Sequence, residues 1–76
     1  MNPEIENRFT YHAPQGDQPW RYASIRDKAK EFAYMLQALC PKSDELRTAL
    51  ERIEEATMWA NASIARHGAT QEGPDR

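Results

Sequence analysis

An aromatic ring on a loop, followed by cations spaced along a helix edge, can hold a small, flat, anionic molecule. Residues 8 to 30, RFTYHAPQGDQPWRYASIRDKAK, carry this combination densely, with five basic residues, Phe9, Tyr11, Tyr22, Trp20 and His12 around Pro14, Gly16 and Pro19. Tyr11 falls on the loop beside His12, where packing alone seldom demands an aromatic. On the helix that follows, Arg26 and Lys30 stand four apart along one edge of the apolar stripe, and Arg21 and Lys28 line the other. Farther on, Arg52, Trp59 and Arg66 recur every seven residues and share one side of a second helix. Rings of this kind stack on bases, and guanidinium and ammonium groups pair with phosphate. The same residues also have plainer uses. Asp27 and Glu31 neighbour Arg26 and Lys30, Glu55 is placed to pair with Arg52, and Trp59 suits a packing interface.

Catalysis needs a nucleophile, an acid–base pair or a metal at a defined spacing. Cys40, on the apolar stripe and followed by proline, reads as a core residue. Glu51, Glu54 and Glu55 read as a solvated helix face. PQGDQP holds one glycine and lacks the phosphate-cradling pattern. The two histidines, His12 and His67, are in no ligand spacing, so neither a structural zinc nor another cofactor is expected. Binding without catalysis is the better-supported chemistry.

The elements that position these groups are helices. Asn2 caps a first helical turn with Pro3 at its first position, and FTYHAPQG is extended, since Pro14 biases Ala13 away from helix. Asp17 is a candidate N-cap with Pro19 in the first turn. From Gln18 to Cys40, apolar residues at Tyr22, Ile25, Ala29, Phe32, Ala33, Leu36 and Leu39 recur in steps of three and four, and Pro41 stops the run. Ser43 caps a second helix, whose stripe includes Leu46, Leu50, Ile53, Thr57, Ala60 and Ile64 and which Gly68 ends. The expected architecture is all-α: an N-terminal helix and arm over 1–16, then helices over 17–40 and 43–67 forming an antiparallel hairpin. These make one domain over 1–67, with a polar, flexible tail at 68–76.

With 76 residues, such a hairpin buries too little surface to stand alone. A single cysteine rules out an internal disulfide, which leaves self-association. The exposed side of the second helix turns apolar at Met58, Trp59, Ala62 and Ala65, and small residues there permit close helix approach. Either the N-terminal arm or another copy of the chain would cover this patch. The net charge of −2 argues against binding DNA or RNA polymers. No stretch approaches the roughly 20 apolar residues of a membrane span and no secretion signal opens the chain, so a soluble cytosolic protein is expected.

Four strings, FTYH, IRDKAK, LCPKS and EEATMWANASIAR, resemble in combination a family of short phage proteins, the anti-CBASS protein two sponges, over about residues 2 to 67. The resemblance implies a helical homo-oligomer, a hexamer, that sequesters cyclic nucleotide signals without cleaving them in the cytoplasm of an infected bacterial host. CBASS effectors are then not activated. Cyclic dinucleotides such as cyclic GMP–AMP would sit between paired protomers at Tyr11 and Arg26. Cyclic trinucleotides such as cyclic tri-adenylate would occupy separate pockets at Lys28 and Arg66. Some relatives carry a small hydroxyl residue at the position of Lys28, where this chain offers an ammonium. The rival reading is a helical adaptor that docks another protein through the Met58–Trp59 patch and binds no nucleotide.

Overall fold

The computed structural model describes residues 2–68. Helix α1 spans Pro3–Arg8, α2 spans Gln18–Leu39 and α3 spans Asp44–His67. No strand occurs among the described residues. Apart from Gly68, the expected tail lies outside them.

Each helix starts and stops for a local reason. Asn2 Oδ1 accepts from the backbone N–H groups of Glu4 and Ile5 at 2.9 and 3.3 Å, satisfying two of the donors that a helix start leaves open. Ser43 Oγ accepts from Leu46 N–H at 3.1 Å and caps α3 in the same way. Asp17 departs from expectation. It occupies the N-cap position of α2, but its side chain makes no capping hydrogen bond and instead meets Arg21 Nε at 3.1 Å. At the other end of α2, Cys40 is extended (φ −108°, ψ 139°), as a residue before proline tends to be. Cys40 is also exposed, so its placement in the core is corrected: leaving the helix carries it off the stripe.

Helices α2 and α3 form an antiparallel pair. The start of α2 meets the end of α3, where Gln18 Nε2 donates to the Ile64 carbonyl at 3.3 Å. Tyr22, Ile25, Ala29 and Leu36 of α2 and Ala49, Ile53, Thr57, Ala60 and Ile64 of α3 are partly buried along the seam, while Phe32 stays 47 % exposed at its edge. Steps of three and four keep both stripes facing the other helix of the pair over lengths of 22 and 24 residues, about 33 and 36 Å.

The seam does not make a closed core. No hydrophobic side chain is buried, and Gln18 is the one buried residue among those described. Outside the seam, α2 leaves Trp20, Tyr34 and Leu39 at 70, 66 and 74 % exposure. Helix α1 and the arm behind it leave Met58 and Trp59 more than half exposed, so the arm does not seal the apolar patch of α3. Fully burying one large apolar side chain stabilises a fold by about 1.5–3 kcal/mol, and here that gain is largely unrealised.

Candidate ligand-binding site

Two grooves flank the α2–α3 seam and share Ala29, Ile53 and Thr57 as their floor. Residues two apart on a helix point some 200° away from each other at 3.6 residues per turn, so Arg26 and Lys28 belong to opposite sides. The structure shows this directly. Arg26 lines the smaller groove, about 420 Å³, together with Lys30, Glu54, Met58 and Asn61. Lys28 lines the larger, about 950 Å³, with Arg52, Phe32, Leu36 and a wall of alanines.

The cations of the two grooves differ in how they are engaged. Lys28 Nζ lies 3.3 Å from Glu31, and Arg52 Nη1 lies 2.7 Å from Glu55, as the spacing of that pair suggested. Arg21, on the Lys28 edge, is tied to Asp17. Arg26 and Lys30 have no ion-pair or hydrogen-bond partner among the described residues, although Glu54 shares their groove. Arg66, half-buried near the end of α3, also has none. An unpaired guanidinium keeps its donors available for phosphate.

Tyr11 is 83 % exposed on the arm, and Phe9 is 84 % exposed two residues before it. The arm has its own internal order. Thr10 Oγ1 donates to the Glu6 carbonyl, and His12 Nε2 lies 2.9 Å from the Asn7 carbonyl, so both residues tie the arm to α1. At its other end, Gly16 adopts φ +53° in a turn that Gln18 N–H closes onto the Gln15 carbonyl at 2.9 Å. A side chain there would be strained, which is why glycine stands at this bend.

The two grooves separate Arg26 from Lys28, and neither takes in Tyr11 or Arg66. Tyr11 projects from the arm, and Arg26 lies eight residues into α2 from Gln18, about 12 Å along the axis. Lys28 shares its groove with Ala56, and Arg66 stands ten residues farther along α3, roughly 15 Å away.

Sequence reasoning missed two groups in this region. Asn61, in the Arg26 groove, has a side-chain oxygen closed off from solvent with no hydrogen-bond partner. A lone amide inside the apolar string MWANAS was the available signal. Gln18 is the other, and nothing in its sequence setting marks it. Among the described residues, no cluster of His, Cys, Asp or Glu could hold a metal ion. Among the described residues, no helix is long and apolar enough to cross a membrane.

The family model described as "Acb2/Tad1, hairpin domain" matches residues 1–65. The chain belongs to that family. The match spans the arm, all of α2 and most of α3, and so takes in Tyr11, Arg26 and Lys28, while Arg66 falls one residue beyond it. Searches of curated proteins and of solved structures returned no match. The Acb2/Tad1 hairpin, as this chain builds it, is a two-helix unit with an ordered arm and an unfinished apolar surface.

Proposed function

We propose that this member of the Acb2/Tad1 hairpin family is a phage immune-evasion protein acting in the cytoplasm of the infected bacterial host. It binds cyclic di- and trinucleotide messengers, holds them uncleaved and so keeps CBASS effectors silent. The observation that carries this reading is the unpaired Arg26 on a groove of a hairpin of this family, when the cations of the opposite groove are neutralised by carboxylates.

In the mechanism, Tyr11 stacks on one base of a cyclic dinucleotide and Arg26 pairs with a phosphate. A second copy completes the pocket, with a two-fold axis supplying each contact twice. A base–aromatic stack contributes about 1–3 kcal/mol and a hydrogen bond to a charged group about 1.5–3 kcal/mol. Doubled, these span about 5–12 kcal/mol gross, and the upper end reaches the roughly 12 kcal/mol of nanomolar binding when the pocket is formed in advance and little ordering remains. Assembly provides that rigidity. The apolar larger groove, the exposed Met58 and Trp59 and the unpartnered Asn61 oxygen are surfaces that neighbouring copies would cover, and a hexamer is the assembly proposed. Arg66 and Lys28, on different elements and apart, would be united for a cyclic trinucleotide in the same manner.

Sequestration needs no catalytic group, and the protein is proposed to be no enzyme. Calorimetric titration with cyclic GMP–AMP tests the assignment: Tyr11→Ala and Arg26→Ala should each weaken binding, and unchanged affinity in both rejects it. The exposed Met58–Trp59 patch supports one other reading, an adaptor that docks a different protein there. An adaptor would bind no cyclic nucleotide in that titration.

A further inference from the structure

Gln18 is the one buried residue among those described, at 5 % exposure, and none of the described hydrophobic side chains is buried. A carboxamide shut away from water is costly unless both its ends are hydrogen-bonded. Here both are. Oε1 accepts from the Gln15 N–H at 2.9 Å, and Nε2 donates to the Ile64 carbonyl at 3.3 Å. One side chain therefore joins three segments: the end of the arm, the start of α2 and the last turns of α3. Gly68 presses on the same group, since a Cβ at that position would come within 2.8 Å of Gln18 Nε2. The backbone of Gly68 is right-handed (φ −64°), so what favours glycine there is room for the amide, not backbone freedom.

The arm's other side-chain ties, Thr10 to Glu6 and His12 to Asn7, run only to α1, and the backbone bond from Gln18 N–H to the Gln15 carbonyl joins the arm to the start of α2 but not to α3. Alone they would let α1 and the arm move as one piece. The Gln18 latch fixes the far end of the arm to the hairpin and thereby limits where Tyr11 can stand.

We propose that Gln18 is a positioning residue, whose amide latches the Tyr11-bearing arm to the open end of the α2–α3 hairpin, where α2 begins and α3 finishes. The inference rests on the proposed role of Tyr11, and its test separates the two claims. Cyclic GMP–AMP affinity is measured for Gln18→Leu, which keeps bulk and removes both hydrogen bonds. It is measured too for Gly68→Ala, which leaves Gln18 in place but crowds its amide off Ile64. Each is then combined with Tyr11→Ala in a double-mutant cycle. Acting through Tyr11, Gln18→Leu weakens binding roughly tenfold, the scale of a lost hydrogen bond, and has under about twofold effect once Tyr11 is alanine. Gly68→Ala follows the same pattern with a smaller loss, and decides the matter should Gln18→Leu lose its helical circular dichroism. Losses of equal size in both backgrounds, or no loss when Tyr11 is intact, overturn the latch while leaving the binding site standing. Wild-type protein that ignores the ligand, or a Tyr11→Ala variant that binds normally, removes both claims.

Discussion

The two grooves of the hairpin are built on the same floor and differ in their rims. On one side, Arg26 and Lys30 have no ion-pair partner among the described residues and share the groove with the unpartnered Asn61 oxygen. On the other, Lys28 and Arg52 are already paired with Glu31 and Glu55, and the surface between them is mostly aliphatic and alanine-rich. A cation held by a neighbouring carboxylate has less to offer a phosphate, and a shallow alanine-lined groove suits a helix. The comparison teaches that charge count alone says little about where an anion binds. What matters is which positive charges the fold leaves unspent.

That contrast can be attacked by substitution. The largest effect is expected from Ala56→Arg, which sets a charge into the larger groove. An unpaired charge in a closed apolar interface costs several kcal/mol, so light scattering should show the assembly falling to smaller species with helix content retained. Next comes Arg26→Ala. Losing a charged contact worth roughly 1.5–3 kcal/mol at both symmetry-related positions should lower cyclic dinucleotide affinity about a hundredfold or more, with the assembly's mass unchanged. Arg66→Ala should cost a cyclic trinucleotide roughly ten- to a hundredfold by the same kind of contact and leave dinucleotide affinity nearly untouched. Equal losses of both ligands in calorimetry would contradict separate sites. The smallest effect is on folding: Lys28→Ala breaks an ion pair whose partners are 82 and 68 % exposed, so thermal unfolding should move by less than about 1 kcal/mol equivalent. A large destabilisation would mean that this side of the hairpin is more closed than the groove geometry shows.

Much of the fold could be read from the chain because its signals are local. Asn2, Pro3, Ser43 and Pro41 mark helix ends, and apolar residues in steps of three and four mark the facing stripes. The same stripe misplaced Cys40, because periodicity does not register that the residue before a proline leaves the helix. Asp17 was misjudged as a capping side chain for a related reason: Gly16 bends the chain just before it, and Arg21 competes for its carboxylate. Of the candidate site, the separation of Arg26 from Lys28 follows from helical angles alone. Their different engagement does not, since both have acidic neighbours and only three-dimensional rotamers decide which pair forms. Gln18 stayed invisible because its partners include the Ile64 carbonyl, 46 residues away.

The most direct measurement is recovery of the bound messenger. Purified protein is mixed with cyclic GMP–AMP or cyclic tri-adenylate and the free nucleotide is filtered away. The retained protein is then heat-denatured, and what it releases is identified by mass. The account predicts depletion of the filtrate and release of the chemically intact ring. Linear or hydrolysed products, or a filtrate that keeps all its nucleotide, would contradict it.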